Sequence, residues 1–185
     1  MPLIGRLIGC TTIIWLFSIL PAVAQTIKGE QIDGSELRCI VWAARHYHKP
    51  TDRITTQGFV DLISAIRLAE GGRVGHISWN RNGTFDIGPM QINSTHLKEL
   101  ERFGVSYQAL LFNSCENIVV GAWILHANLE GASDLWTSIG NYNSRTVKYN
   151  QTYQRLIWDQ LQTVWSHHLT RGVLRGSATV AEASQ

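Results

Sequence analysis

Apolar residues recur at helical spacing along most of this chain, and one such run ends on a carboxylate. From 56 to 69 the pattern is helical, and Ile63, Ile66 and Glu70 stand at i, i+3 and i+7, on one face. Upstream, Ser35 is placed to cap a helix over 36–48, which Pro50 terminates. Residues 76–92 read instead as a short irregular β-hairpin. Asn82-Gly83 supplies the turn, with Ile77, Trp79, Phe85 and Ile87 flanking it. Ser94 then caps a helix carrying Leu97, Leu100 and Phe103, and Gly104 stops it. A short helix is predicted over 107–112. Ser114 caps one through 129 whose apolar face holds Ile118, Ala122, Leu125 and Leu129. Ser133 caps the next, through 139. The last helix, from 146 to about 165, carries Tyr149, Tyr153, Leu156, Ile157, Leu161 and Val164. From 166 to 185 no period is sustained and the stretch is rich in Ala, Ser and Gly, which predicts a mobile tail. There is no internal repeat. Helices surrounding a minor sheet predict one α-rich α+β domain over 35–165, two-lobed with a cleft.

The N-terminus has its own pattern. Arg6 precedes an apolar stretch over 7–20, Pro21 breaks it, and Ala22-Val23-Ala24 has the form of a signal-peptidase site. Residues 1–24 therefore read as a signal peptide for export to the periplasm, with 25–34 as a polar lead-in. Two alternatives stand beside that. The run over 7–24 is long enough for an uncleaved inner-membrane anchor, and Leu7-Ile8-Gly9-Cys10 resembles a lipoprotein box. Cleavage would remove Cys10 and leave Cys39 and Cys115. In an exported protein, two cysteines on separate helices suggest a disulfide, the alternative being two buried thiols.

With 185 residues, 44% hydrophobic and 16% charged, the chain can bury the core of one domain. Its formal charge of +2 falls by one when Arg6 leaves with the signal. That is too weak for a nucleic-acid partner. Seven tryptophans can fill a core or line a sugar-binding groove. Seven histidines offer no metal set: His46-x-His48 and His167-His168 lack ligand-spaced partners and read as surface residues. No cofactor is implied.

Glu70 is the residue with chemical promise. On an apolar face its carboxyl meets the core rather than bulk water. Burial raises its pKa toward neutrality, where a general acid works. The alternative is an exposed residue at a fraying helix end. Three blocks C-terminal to Glu70 bear on the choice. Asn82-Gly83-Thr84-Phe85-Asp86-Ile87-Gly88-Pro89-Met90-Gln91-Ile92-Asn93, then Cys115-Glu116-Asn117-Ile118-Val119-Val120-Gly121-Ala122-Trp123, then Gly140-Asn141-Tyr142-Asn143 come in order. Together these blocks resemble the lytic transglycosylases of the lysozyme-like superfamily. The nearest likeness is to the small single-domain group associated with secretion, pili and conjugation.

The resemblance implies a lysozyme-like fold with a sugar groove and Glu70 as the catalytic acid of peptidoglycan cleavage. It implies that Tyr142 orients Glu70, and that Ser78, Met90, Gln91 and Asn143 contact substrate. It also implies a Cys pair at the positions of Cys39 and Cys115, and a secretion, pilus or conjugation machine as partner. The motif set holds only one confident acid, whereas ordinary glycosidases use two carboxylates. Asp86 is the nearby rival. Its place beside the Asn-Gly turn suggests bonding to turn backbone, and the alternative is a second catalytic carboxylate in a lysozyme-type hydrolase. Asn93 is read as helix cap or ligand, and Asn117 as a packing or capping residue.

Two positions depart from the family pattern. Gly71 stands where a Ser usually follows the catalytic Glu. Pro89 stands where Leu is usual and removes an amide donor. These departures leave open a third reading, a wall-binding assembly factor without turnover.

Overall fold

A computed structural model describes residues 32–49, 54–132 and 134–182. The predicted signal, the anchor and lipoprotein alternatives, most of the lead-in, Pro50 and Ser133 lie outside them.

The architecture is mostly helical with one small sheet, the α+β form that the sequence predicts. In chain order come α1 (Gly34–Tyr47), α2 (Thr56–Glu70), β1 (Ile77–Trp79), β2 (Phe85–Ile87), β3 (Ile92–Asn93), α3 (Leu97–Leu100), α4 (Tyr107–Phe112), α5 (Ser114–Gly131), α6 (Leu135–Asn143) and α7 (Val147–Glu182). Short 3₁₀ turns at Ser94–His96 and Glu101–Phe103 flank α3. The sheet is antiparallel in the order β1-β2-β3 and not a simple hairpin. The third strand is two residues long, too short for alternation to reveal it.

Helix α5 packs on α1, α4 and α6, while α7 packs on α2 and α6. Ile40, Phe59, Ile63, Ile66, Ile118, Leu125, Ile139 and Ile157 meet in the core, all fully buried. Helix α2 is buried at every residue from Phe59 to Arg67. It is a central helix rather than one with a single apolar face. The buried Glu36 carboxylate and Arg67 guanidinium pair at 3.2 Å, and the Ser114 hydroxyl donates to Glu36 at 2.7 Å. This polar link joins α1, α2 and α5. Cys39 and Cys115 form a disulfide between α1 and α5, with Cα atoms 5.4 Å apart.

Caps and ends depart from the sequence reading in a consistent way. Asp33, not Ser35, caps α1, accepting from the N–H groups of Ser35 and Glu36. Asn93, not Ser94, caps the turn before α3, and Asn113, not Ser114, caps α5. Asp134 caps α6. Asn and Asp cap as well as Ser does, and each of the first three lies upstream of its serine. The displaced serines find other partners. Ser94 accepts from the Phe85 N–H at 3.1 Å, and Ser114 serves Glu36. Helix α7 runs past Trp165, where the sequence predicts its end, to Glu182. His48 is not a surface residue: its ring lies buried on Phe59, with Nε2 3.1 Å from the Ile54 carbonyl oxygen.

Candidate active site

Helix α2 ends at Glu70 because Gly71 adopts the left-handed conformation, φ 56°, and closes the helix onto the Arg67 carbonyl. Nothing lies within 4 Å of where a Gly71 side chain would start. The missing serine hydroxyl is therefore a matter of conformation and not of space. Gly72 is constrained by contact instead. A Cβ there would stand 2.1 Å from the Gly88 carbonyl oxygen and 2.6 Å from Gln91 Nε2. Only glycine lets the end of α2 pack onto the Gly88–Gln91 turn.

That turn is closed by Gln91 N–H donating to the Gly88 oxygen at 3.1 Å. Pro89 occupies its second position, where a fixed φ is suited and no amide donor is required. Asn117, wholly buried, clamps the same turn from α5. Its Oδ1 accepts from Met90 N–H at 2.7 Å, and its Nδ2 donates to the Ile87 and Leu110 carbonyls at 2.9 and 3.0 Å. Asn117→Ala would leave these three backbone groups buried and unpaired. We expect a loss of about 3 kcal/mol or more in urea unfolding, with a parallel loss of activity as the turn loosens.

Glu70 opens onto a cleft of about 830 Å³. One wall comes from the sheet and its turns, including Asn80, Arg81, Asp86 and Gln91. The other comes from α5, α6 and the start of α7, including Asn128, Tyr142, Asn143 and Tyr149. Burial is the largest influence on Glu70 and raises its pKa to about 7. The Tyr153 hydrogen bond opposes that rise, and the nearby Asp86 charge adds to it. The Tyr153 hydroxyl donates to Glu70 Oε1 at 2.5 Å. Burial lifts the pKa values of Tyr142 and Tyr153 well above the usual phenol value, so both remain protonated donors.

The predicted site residues divide. Glu70, Tyr142, Gln91 and Asn143 all line the cleft. Tyr142, however, does not direct its hydroxyl to Glu70. Its hydroxyl donates to the Met90 carbonyl at 3.0 Å, and its ring stacks on Tyr153 with centroids 6.3 Å apart. Tyr153 fills the orienting position foreseen for Tyr142. Gln91 donates to the Gly88 oxygen at 2.8 Å from an unusual left-handed backbone, φ 48°. Met90 is fully buried and packs against Gly121, where an added Cβ would stand 2.7 Å from Met90 Cε. Its side chain belongs to the core and not to the cleft wall. Ser78 pairs across the sheet with Asp86 and is outside the residues lining the cleft. Asp86 bonds side chains rather than turn backbone: Asn80 Nδ2 at 2.9 Å and Asn93 Nδ2 at 2.7 Å, one on each carboxylate oxygen. Asn93 also caps through Oδ1, which accepts from Thr95 N–H at 3.0 Å. Among the described residues no group of three or more His, Cys, Asp and Glu could hold a metal ion.

Tyr153 escaped the sequence reading because it sits in the apolar stripe of α7, among Ile157 and Leu161, and passes for core. A buried tyrosine needs a partner for its hydroxyl, which was the signal available. Two single-atom deletions separate the roles of the tyrosines. Tyr153→Phe removes the bond that lowers the Glu70 pKa, so the alkaline limb of the pH–rate profile is expected to move to higher pH, with kcat down roughly tenfold or more. Tyr142→Phe is expected to cost about 1 kcal/mol in stability and leave that limb in place. If both variants moved the limb equally, the assignment of Tyr153 would be wrong.

Comparison with known proteins agrees with this geometry. Residues 62–156 match the family model described as Transglycosylase SLT domain. The chain is 36% identical over 104 residues to Invasion protein IagB of Salmonella typhimurium, an overlap of 54% of this chain and 65% of that protein. It is 34% identical over 99 residues to a peptidoglycan-binding-like protein of Escherichia coli O157:H7, covering 49% and 59% of the two chains. It is 33% identical over 86 residues to Protein IpgF of Shigella flexneri, covering 46% and 57%. The chain thus spans less than two thirds of the length of these relatives. The matched segment runs from the body of α2 through Tyr153, and so carries Glu70, the clamped turn and both tyrosines: the chain belongs to the transglycosylase SLT family of the lysozyme-like superfamily.

Proposed function

We propose that the protein is a peptidoglycan lytic transglycosylase that cuts the β-1,4 bond between N-acetylmuramic acid and N-acetylglucosamine. The observation that carries this reading is Glu70. It is a cleft carboxyl with a pKa of about 7, so near neutral pH it can hold a proton and also release one. In the first step Glu70 donates its proton to the glycosidic oxygen as the C1–O bond breaks. The substrate's own 2-acetamido group supports the positive charge at C1, as in glycosidases that dispense with a second carboxylate. In the second step the Glu70 carboxylate takes the proton of the muramic acid C6 hydroxyl, and O6 bonds to C1. A 1,6-anhydro end forms, Glu70 is protonated again, and no water is consumed. Tyr153 fixes the Glu70 carboxyl throughout, and its bond is strongest on the charged form that the second step requires.

Asp86 supports this assignment by what already holds it. Two asparagine amides engage its oxygens, and a hydrolase would need that carboxylate to activate water. A place outside the cytoplasm follows from such a substrate, and periplasmic export through residues 1–24 is part of the proposal. No described helix is long and apolar enough to cross a membrane. One relative is by name an invasion protein. With the resemblance to secretion-, pilus- and conjugation-associated members, this extends the proposal to local opening of the wall for such an apparatus.

The test is mass spectrometry of purified peptidoglycan digested by the protein. Anhydro-muropeptides are the expected products. Reducing-end products would make it a hydrolase and turn attention to Asp86. Wall binding without products would favour a non-catalytic assembly role.

A further inference from the structure

Two arginines face the cleft from opposite walls. Arg81 stands in the turn between β1 and β2, and Arg145 in the connection between α6 and α7. Both are exposed, and neither has a carboxylate partner among the described residues, whereas the buried Arg67 is paired with Glu36.

The segments that carry them are braced. In the β1–β2 turn, Asn80 N–H donates to the Thr84 carbonyl at 2.8 Å, Thr84 Oγ1 bonds Asn82 Oδ1 at 2.8 Å, and Asn80 and Asn93 bond Asp86. These bonds occupy the polar side chains around Arg81 and leave its guanidinium to the cleft. On the other wall the Ser144 carbonyl accepts from buried Asn150 at 3.1 Å, and Ser144 Oγ accepts from Thr146 N–H at 3.1 Å. Arg145 lies between those two anchored residues. Tyr149, exposed and lining the cleft, has the Lys148 ammonium 6.0 Å above its ring. The carboxyl groups lining the cleft are Glu70, bonded to Tyr153, and Asp86, bonded to two amides.

Positive charge held on braced turns without an internal anion calls for an external one, and guanidinium is shaped for carboxylate. Resting on the peptidoglycan reading of this cleft, the chemistry of the substrate identifies that anion. In a stem-bearing strand the sugars offer neutral hydroxyl and acetamido groups, since the lactyl carboxyl of muramic acid is tied up in the amide to the stem, and the free carboxylates are on the peptide stems. We propose that Arg81 and Arg145 form a carboxylate-binding subsite that takes the peptide stems, so that the protein selects glycan strands bearing stems over bare strands.

The test uses the protein, an Arg81→Gln/Arg145→Gln double variant, and two substrates: intact glycan strands, and strands stripped of stems by an amidase with the lactyl carboxyl that the cut exposes then capped as a neutral amide. The ratio of kcat/KM on stem-bearing over stripped strands is expected to fall roughly tenfold in the double variant, mainly through KM. Added salt should erode the same ratio in the unaltered protein. An equal loss on both substrates, or no loss on either, would overturn the proposal. Equilibrium binding of a soluble muropeptide and its carboxyl-amidated form gives a readout independent of turnover. The unaltered protein should bind the free-acid form roughly tenfold more tightly, and the double variant should bind both alike. If no strand is cleaved but this discrimination is present, the catalytic reading fails and the subsite stands. If strands are cleaved without discrimination, the subsite fails alone.

Discussion

Glu70→Gln is expected to abolish turnover while making the protein more stable. The activity loss should be about 10³-fold or more, because in the proposed reaction one group supplies both the acid of the first step and the base of the second. The stability gain comes from linkage. Folding moves the Glu70 pKa upward from 4.5 to about 7, chiefly through burial. The folded state therefore disfavours the charged form. Below about 4.5 the carboxyl is neutral in folded and unfolded chains alike, and glutamine confers nothing. As pH rises toward 7 the unfolded chain ionises while the folded one resists, so stability falls. Above 7 the whole cost is present, roughly 2–3 kcal/mol for a shift of this size in a partly buried group. The variant should match the parent in thermal melts at pH 4 and exceed it at pH 8. Equal melting at both values would mean that Glu70 is not strained by its surroundings. An alkaline decline of kcat near pH 7 is expected in the parent from the same group, since the proposed first step requires the proton.

The second large effect is on stability alone. Removing the Cys39–Cys115 bridge, by reduction or by a double Cys→Ala change, should cost roughly 4–5 kcal/mol in the chain-entropy model, given a loop of 76 residues. For a domain of this size that lowers Tm by roughly 10–15 °C. The bridge joins α1 and α5, next to the link in which Glu36 receives Arg67 and Ser114. Loosening α1 from α5 would expose that buried pair to water. It would also disturb α5, which carries Asn117 and through it the Gly88–Gln91 turn. Activity should therefore be lost at a lower temperature in the reduced protein, in step with unfolding. A melting curve unmoved by reduction would refute the contribution.

Local signals made much of the molecule legible. The Asn82-Gly83 turn, the Gly104 stop and the apolar spacing of α2, α5 and α7 each depend on residues close in the chain. Each predicts an element that the fold contains. The helix caps were missed by one or two residues because Asn, Asp and Ser compete on nearly equal terms, and a neighbour's demand for a hydroxyl decides between them. Ser114 is the clearest case, since Glu36, 78 positions away, takes its hydroxyl.

The site divides along the same line. That Glu70 ends a helix packed in the core and stands before the cleft motifs was legible, because the apolar run before it and the motifs after it are consecutive facts. The cysteines could be paired because two remain after the predicted signal is removed. The tyrosine that holds Glu70 could not be found that way. Tyr142 and Tyr153 both suit the task chemically, and Tyr142 stands in the more recognisable motif. Packing of α7 on α2 brings Tyr153, 83 positions along the chain, onto the carboxyl, while Tyr142 is turned to the Met90 carbonyl. Met90 likewise went to the core because Gly121 leaves room for it. By itself the sequence determined a helical domain with a small sheet, a cysteine pair and an acid at the end of an apolar helix, since each arises from short-range periodicity, turn chemistry or composition. Which hydroxyl reaches that acid, which side chains line the cleft and which charges lack an ion-pair partner among the described residues were decided by the tertiary structure, because those depend on contacts between elements far apart in the chain.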